Sequence, residues 1–419
     1  MNLIERDKEF IWHPFTPQKN MPQPIAVIKA ANSLLFDENN NAYIDAISSW
    51  WVTIHGHAHP YIAEKLYRQA LQLEHTIFAG FTHLPAVELA EKLLGVLPKN
   101  FSKVFYSDDG STATEVALKM AVQFWWNNGE TKRNKIFAFN NSYHGDTVGA
   151  MSVSDRSVFT LAFRNILFDV IFIDTPTKEN VHQIENIINQ HAAEAAAFIY
   201  EPLVQGAGGM KMYDASLLDS LLALMQKHNI ICIADEVMTG FGRTGKFFAS
   251  EYTNVMPDII CMSKGITGGT MALGATACTN KIYEAFVADD KTKTFFHGHS
   301  FTANPLACTV AIASLELFEK ENTLEKIKWI EQENKKFAES VSKKGNIKNV
   351  RTLGTIAAFE IVKGEDNYLN DISTDVTKKA LSLGVYLRPL GNTVYIMPPY
   401  CITYNELQKI YEVINKIIE

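Results

Sequence analysis

The sequence has 419 residues, of which 47% are hydrophobic and 20% are charged, a balance typical of a soluble globular protein. A chain of this length exceeds what one hydrophobic core supports, so two or three domains are expected. The formal net charge of −7 argues against nucleic acid or an anionic membrane surface as the main partner.

The spacing of the cysteines and the length of the apolar runs indicate the cellular compartment of the protein. The cysteines are scattered without C-x-x-C spacing, which is typical of reduced thiols in a cytoplasmic protein: Cys232, Cys261, Cys278, Cys308 and Cys401. The N-terminus carries charges of both signs and lacks the apolar stretch of a signal peptide. No uninterrupted apolar run reaches the length of about 18 residues that a membrane span needs. We therefore expect a cytoplasmic protein with no membrane contact.

The predicted elements begin with an irregular segment of about 55 residues that is broken by prolines. Within it, Ser33–Asp45 has the pattern of a hairpin that turns on its asparagines. From about residue 60, helical and strand patterns alternate. Helices are predicted near 60–74, 85–97, 111–127, 180–194 and 214–228, and strands at 104–107, 135–139, 170–173 and 197–200. Such alternation predicts an α/β fold, in which helices cover both faces of a mainly parallel sheet.

The pattern changes near residue 304, where a long helical stretch begins. It has a break at Glu321-Asn322 and ends near Gly345, so we expect it to lead out of the main domain. The last 75 or so residues predict a smaller α+β domain, which ends in a helix that Thr403 and Glu406 cap. We assign 56–315 to a large domain and 316–419 to a small one. Residues 1–55 are expected to join the small domain and the active site.

Two short apolar runs end in charged side chains. Ile230–Ala234 leads into Asp235, and Asp258–Ser263 leads into Lys264. Runs of this kind read as buried parallel strands, and ligands of open α/β sheets bind outside their carboxyl ends. An amine and a carboxylate placed there suit pyridoxal phosphate, because its aldehyde binds a lysine and its ring nitrogen needs an acidic partner. A buried ion pair between the strands is the alternative.

Two turns after strands are candidates for the rest of that site. After the first predicted strand, Gly110 allows a close backbone approach, and Ser111 with Thr112 opens a helix whose free N–H groups and dipole favour an anion such as a cofactor phosphate. An ordinary helix cap is the alternative. Tyr143 and Asp146 follow the next strand, where the ring could stack on a planar group and the carboxylate could orient a substrate. A surface loop with a half-buried tyrosine is equally compatible.

Other motifs carry weaker signals. Gly240–Gly245 matches a dinucleotide-binding pattern, but it does not join a strand directly to a helix, so a loop that presents Arg243 near Asp235 is the better interpretation. The histidines at 55, 57, 59, 297 and 299 lack carboxylates or cysteines at ligand spacing, and no metal is expected. Trp50 and Trp51 could be core residues or walls of a pocket for a long apolar substrate. Arg388 could bind a substrate carboxylate or form a structural salt bridge.

These residues together resemble the class III aminotransferases, which are pyridoxal-phosphate enzymes of fold type I. The order Gly110-Ser111, Tyr143–Asp146, Asp235-Glu236 and Lys264 carries the resemblance, which extends over nearly the whole chain. Within the family, six further motifs look like those of the members that aminate 8-amino-7-oxononanoate in biotin biosynthesis. They are Trp12–Thr16, Ser48–Trp51, Glu201–Met210, Thr239–Gly245, His297–Phe301 and Met397–Tyr400.

The resemblance implies a role for each matching position. Lys264 would hold the cofactor and move the proton, Asp235 would pair with the ring nitrogen, and Gly110 with Ser111 would bind the phosphate. Tyr143 would line the cofactor and substrate pocket, and Arg388 would take the substrate carboxylate. His299 and Ser300 would reach the cofactor of a second subunit, which makes an active homodimer with shared sites. The remaining expected substrate contacts are Phe15, Trp50, Trp51, Asp146, Arg243 and Gly298.

Some positions depart from the family pattern. Position 15 is Phe where many members have Tyr, position 299 is His where Pro is common, and Ser300 replaces a common Thr. The change at Phe15 leaves the amino donor open between S-adenosyl-L-methionine and lysine. Met238 stands where ornithine- and 4-aminobutyrate-type relatives commonly have Gln, which argues against those activities. Another class III ω-aminotransferase and a scaffold without catalysis are the alternative functions.

Overall fold

A computed structural model of the protein describes residues 1–364 and 368–419. Its helices are α1 (Leu3–Phe10), α2 (Ser48–Trp51), α3 (Pro60–Ala70), α4 (Leu84–Val96), α5 (Gly110–Asn127), α6 (Val148–Val153), α7 (Val181–His191), α8 (Ala215–Lys227), α9 (Asn280–Glu284), α10 (Pro305–Lys320), α11 (Thr323–Val341), α12 (Ile372–Ser382) and α13 (Tyr404–Ile418). Short 3₁₀ turns lie at Leu161–Ile166, Ala249–Tyr252, Lys264–Thr267 and Lys291–Lys293.

The strands of the same residues are β1 (Val27–Ala31), β2 (Leu34–Asp37), β3 (Ala42–Asp45), β4 (Phe101–Ser107), β5 (Lys135–Phe139), β6 (Val170–Ile173), β7 (Ala195–Tyr200), β8 (Val204–Gln205), β9 (Lys211–Met212), β10 (Ile231–Asp235), β11 (Ile259–Met262), β12 (Gly274–Thr279), β13 (Ile347–Leu353), β14 (Ile356–Ile361), β15 (Val385–Tyr386) and β16 (Thr393–Ile396).

The largest sheet forms the centre of the molecule. Within the described ranges it has seven strands in the order β4-β12-β11-β10-β7-β5-β6. β10 runs parallel to β7 and β11, and β5 runs parallel to β6 and β7. Every residue of β7, β10 and β11 is buried, because α5 and α9 cover one face and α4, α7 and α8 cover the other. The predicted α/β fold with a mainly parallel sheet is confirmed.

One strand of this sheet runs against the rest and was not among the predicted strands. β12 pairs antiparallel with both β11 and β4. The chain reverses through the 3₁₀ turn and two glycines with positive φ, Gly268 at 59° and Gly269 at 80°. At Gly269 a Cβ would lie 2.9 Å from Thr53 Cγ2, so a side chain would not fit this reversal. The reversal keeps Lys264 close to the end of its own strand.

The two ends of the chain share a smaller sheet. β15 pairs in parallel with β3, with Val385 opposite Ile44, and extends the antiparallel β1–β3. The predicted hairpin is confirmed, since β2 and β3 turn at the asparagines. The expectation of an irregular N-terminus was wrong at α1, which Asn2 and Glu5 cap reciprocally, and at β1, which pairs with β2.

The long helical stretch has the predicted break. α10 ends at Lys320, before Glu321. Asn322, with a φ of 49°, turns the chain, and α11 begins at the next residue. The predicted capping box of the last helix is confirmed, with Glu406 N donating to Thr403 Oγ1. Across residues 1–364 and 368–419, none of the helices combines the length and the apolar character that a membrane span requires. The division into segments at residues 55 and 315 stays a prediction.

Candidate active site

The candidate site is a cavity of about 440 Å³ at the carboxyl ends of the central strands. Loops that follow β4, β5, β7, β10 and β11 all contribute side chains to it. The wall includes Trp51, Asp108, Asp109, Gly110, Ser111, Tyr143, His144, Gly145, Glu201, Asp235, Val237, Met238, Ser263 and Lys264. The structure therefore brings together most of the residues that were predicted to bind cofactor.

Lys264 lies two residues beyond β11, in the first position of a 3₁₀ turn. Its backbone has a φ of 48°, which is uncommon for a side chain with a Cβ. Its Nζ lies 4.6 Å from the ring centroid of Trp51. Burial lowers the pKa of Lys264 to about 8, although Asp235 and then Glu201 act in the opposite direction. The amine is therefore partly neutral, and nucleophilic, near neutral pH.

Asp235 ends β10 and is held from two sides. Its Oδ2 lies 2.7 Å from Nδ1 of the fully buried His144, and its Oδ1 accepts the backbone N–H of Val237 at 3.0 Å. The buried Nε2 of His144 has no hydrogen-bond partner among the described residues. These contacts fix the carboxylate in one orientation toward the cavity. A positively charged ring nitrogen placed there would be stabilised by it.

Glu201 is a further buried carboxylate in the wall. It follows the fully buried β7 and accepts the backbone N–H groups of Tyr143 at 3.0 Å and Gly206 at 2.8 Å. Burial raises the pKa of Glu201 to about 7. The sequence reasoning gave neither Glu201 nor His144 a role. The signal was present for Glu201, because it follows an apolar strand just as Asp235 and Lys264 do.

The start of α5 forms one end of the cavity. Asp109 caps the helix by accepting the N–H of Thr112 at 2.8 Å. The N–H groups of the first helical residues, Gly110 and Ser111, have no partner within the helix and point out of its N-terminus. A Cβ at Gly110 would lie 2.7 Å from Val237 Cγ1. The glycine thus lets the helix start come close to Val237, two residues beyond Asp235.

The loop after β5 closes over this helix start. Gly145 has a φ of 132°, and a Cβ there would lie 2.1 Å from Ser111 Oγ. The backbone N–H of Asp146 donates to that same hydroxyl at 3.1 Å. The hydroxyl of Tyr143 donates to Asp146 Oδ2 at 2.7 Å, which fixes the ring as a side wall. Burial, and then the charge of Asp146, raise the pKa of Tyr143 far above its usual value.

Outside the cavity lies a second group of predicted residues. The guanidinium carbon of Arg388 sits 4.0 Å from the ring centroid of Trp50, and Phe15 contacts that ring edge-on at 5.4 Å. Phe15 is 45% exposed and Trp50 37%, so both rings face solvent-accessible space. Within residues 1–364 and 368–419, Arg388 has no ion pair, and its positive charge is available to a ligand.

The structure places Arg243 behind this region rather than in the cavity. Its guanidinium is fully buried and donates to Ser48 Oγ at 3.2 Å, to Thr355 Oγ1 at 3.3 Å and to the backbone carbonyl of Pro398 at 3.0 Å. Arg243 was expected to present its charge near Asp235, but Asp235 is not among these hydrogen-bond partners. Arg243 instead ties down the turn that carries both tryptophans, and its charge helps lower the pKa of Lys264 after burial.

The segment with Gly298, His299 and Ser300 also lies outside the cavity wall. Gly298 and Ser300 are exposed, and His299 Nε2 is 3.8 Å from Asp108 Oδ1, at the edge of the cavity near α5. Among the described residues these three are not part of the cavity wall, and His299 approaches it only at Asp108. Their expected role depends on a second subunit.

The residues of the cavity fit pyridoxal phosphate. The cavity offers a lysine of lowered pKa, a fixed carboxylate for a ring nitrogen, and a helix N-terminus at Gly110 whose free N–H groups favour a phosphate. The ring of Tyr143 lies beside these groups, and Trp51 lies beneath the amine. The alternative of a plain ion pair between strands does not explain the cavity or the free helix start.

Comparisons with known proteins agree with this site. The family described as "Aminotransferase class-III" matches residues 15–418. The adenosylmethionine-8-amino-7-oxononanoate aminotransferase of Synechococcus elongatus is 44% identical, over 98% of this chain and 98% of that protein. The crystal structure of the enzyme of that name from Methanocaldococcus jannaschii has a TM-score of 0.96, with 35% identity over 99% of this chain and 98% of that chain.

A solved amine transaminase from an uncultivated Pseudomonas species, in its PLP-bound form, has a TM-score of 0.92 and 27% identity over 98% of both chains. The family match covers nearly all of this chain, and the residues of the cavity supply each group that the cofactor needs. The resemblance seen in the sequence is therefore confirmed. The chain belongs to the class III aminotransferase family and is a pyridoxal-phosphate-dependent enzyme.

Proposed function

We propose that the protein transfers an amino group to the 7-oxo carbon of 8-amino-7-oxononanoate, giving 7,8-diaminononanoate in biotin biosynthesis. We propose S-adenosyl-L-methionine as the donor, reacting first and leaving before the acceptor binds. The observation that carries this proposal is Arg388, which packs on Trp50 beyond the lysine cavity and has no ion pair with any described residue. A substrate that reacts at Lys264 and ends in a distant carboxylate suits that arrangement. Relatives that carry the name of this activity support it.

The cavity residues divide the chemistry between them. Pyridoxal phosphate bound there would supply the carbonyl that accepts an amino group and the electron-withdrawing ring that makes loss of a proton from the substrate carbon possible. The neutral amine of Lys264 takes and returns that proton, which its pKa of about 8 permits. Asp235 keeps the ring nitrogen protonated, and the buried His144 holds Asp235 in place at 2.7 Å.

The outer residues bind the far end of the substrate. The guanidinium of Arg388 pairs with the carboxylate through two parallel hydrogen bonds. Its stacking on Trp50 at 4.0 Å fixes the plane of the guanidinium before the substrate arrives. The rings of Trp50 and Phe15 offer apolar surface to the methylene chain. Binding energy from this end positions the reacting carbon near Lys264.

We also propose a cytoplasmic homodimer in which each subunit completes the site of the other. Gly298 contacts substrate in that assembly, and His299 with Ser300 reach the phosphate of the partner's cofactor. Support comes from the same segment, where two large apolar rings, Phe296 at 74% and Phe301 at 61% exposure, are available for a second subunit to cover. The five cysteines are unpaired, which suits a reducing compartment.

A donor-exchange assay tests the proposed reaction. The purified protein, loaded with pyridoxal phosphate, is mixed with 8-amino-7-oxononanoate and either S-adenosyl-L-methionine or lysine, and 7,8-diaminononanoate is measured by mass spectrometry. Product is expected with S-adenosyl-L-methionine and is expected to disappear in Lys264→Ala. Product with lysine alone reassigns the donor. No product with any amine, together with activity toward other ω-amines, would identify a different class III aminotransferase.

A matched pair of arginine variants tests the substrate end. Arg388→Met is expected to raise the KM for 8-amino-7-oxononanoate ~10- to 100-fold, because a charge-assisted bidentate pair is lost. Arg68→Met is the control, since Arg68 pairs with Glu64 on the surface of α3. Equal KM values in the two variants would show that Arg388 does not bind the substrate carboxylate.

A further inference from the structure

Phe159 is the centre of a group of aromatic rings that does not belong to the hydrophobic core. Its ring centroid lies 5.9 Å from that of Phe15, 5.9 Å from that of Tyr143 and 4.6 Å from that of Tyr368. All three contacts are edge-to-face, a favourable geometry for aromatic pairs. The four rings come from four separate stretches of the chain. None of them is fully buried.

The aromatic group joins the two charged ends of the proposed substrate site. On one side, Tyr143 lines the same cavity as Lys264. On the other side, Phe15 contacts Trp50, and the guanidinium of Arg388 packs on the ring of Trp50. The rings therefore form a continuous wall between the reacting amine and the free guanidinium. A substrate that spans these two charges passes along this wall.

Tyr368 makes the closest contact in the wall and has no other assigned role. Its half-buried ring is seated on Phe159, and within the described part of the chain its hydroxyl has no hydrogen-bond partner. It lies near the cavity: after burial, Asp146 and Glu201, a charge on Tyr368 also raises the pKa of Tyr143. Its ring packs on the half-buried Phe159, and it is not among the side chains of the hydrophobic core clusters. Its position instead shapes the passage.

We infer that Tyr368 is a specificity-determining residue, which selects long-chain substrates through the apolar face that its ring adds to this wall. The inference rests on the proposed function, because it takes the wall to run alongside the methylene chain of a keto acid. A short ketone that reacts at Lys264 without reaching Arg388 does not need the wall. Tyr368 thus affects long and short substrates differently.

The test compares two acceptors with the same reacting end. The holoenzyme is assayed with 8-amino-7-oxononanoate and with 3-aminobutan-2-one, which lacks the carboxylate chain. Tyr368→Ala is expected to lower kcat/KM ~10-fold for the long acceptor, an effect typical of lost apolar contact in a specificity pocket, and to leave the short one nearly unchanged. Tyr368→Phe keeps the ring and is expected to keep the selectivity. Phe163→Ala removes a 45% exposed ring from a neighbouring turn and is the control.

Each other outcome overturns the inference. An equal loss for both acceptors in Tyr368→Ala shows a structural role, and no loss for either shows that substrate does not touch the ring. A loss in Tyr368→Phe as large as in Tyr368→Ala shows that the hydroxyl matters rather than the ring. If the unchanged protein does not aminate 8-amino-7-oxononanoate, the proposed function fails first. The role of Tyr368 in selecting chain length is then tested with ω-amino acids of increasing length as donors. A ratio of Tyr368→Ala to wild-type rates that stays constant with donor length refutes that role.

Discussion

Lys264 should react as a neutral amine at a pH where a lysine with the ordinary pKa is charged. Its pKa falls from 10.5 to about 8, mainly because burial removes the water that stabilises the ammonium. At pH 8 a lysine of pKa 10.5 is roughly 0.3% neutral, and one of pKa 8 is about half neutral. The neutral fraction of Lys264 is therefore ~150-fold larger. Below its pKa the side chain protonates, and the reactivity falls tenfold for each pH unit.

Competitive acetylation of the cofactor-free protein measures this directly. The labelling rate of Lys264 is followed by mass spectrometry between about pH 6 and 11. The exposed Lys328 of the same sample corrects for changes in the reagent. We expect the rate at Lys264 to reach half its maximum near pH 8. A midpoint above about pH 10 would refute the argument that burial lowers the pKa.

A single substitution tests the sign of the electrostatics. The carboxylate of Glu201 acts to raise the pKa of Lys264, and with its own pKa of about 7 it is mostly ionised at pH 8. Glu201→Gln is therefore expected to move the midpoint of Lys264 labelling to lower pH. The melting temperature of the variant shows whether the fold is intact. A midpoint that moves upward in a folded variant contradicts the assignment.

Two further substitutions test the geometry of the cavity. Gly110→Ala places a Cβ 2.7 Å from Val237 Cγ1, so the dissociation constant of pyridoxal phosphate, measured by equilibrium dialysis, should rise about tenfold. In the control Gly95→Ala, in α4, the added Cβ meets no atom within 4 Å, and the cofactor should bind normally. Trp51→Phe removes the indole N–H that donates to Tyr395 Oη at 2.9 Å, and we expect the free energy of unfolding in urea to fall by about 1–2 kcal/mol. Unchanged dialysis or unfolding would show that these contacts are not formed in solution.

The sequence predicted the elements best where the local pattern was strong. Buried parallel strands are continuous apolar runs, so β5, β10 and β11 were found within one or two residues of their observed ends. Burying a charged side chain directly after such a run costs free energy unless the charge is paired or functional. Asp235 and Lys264 could therefore be identified as candidate site residues. β12 was missed, because its sequence is rich in small residues and its direction depends on the reversal at Gly268 and Gly269.

The parts of the site that come from distant segments were harder to predict. Arg243 looked like a charge for the pocket, yet its partners, such as Ser48 and Thr355, are far away in the sequence and leave it fully buried. The wall around Phe159 likewise joins separate stretches of chain, and no local pattern signals it.

The sequence by itself determined the class of chemistry. A lysine, a carboxylate and a glycine-opened helix, each directly after an apolar strand, are local features, and the carboxyl ends of parallel strands necessarily meet at one edge of a sheet. Tertiary structure decided what surrounds them. Burial, which depends on every neighbour, lowers the pKa of Lys264, and long-range packing places Arg388 on Trp50 and Tyr368 on Phe159.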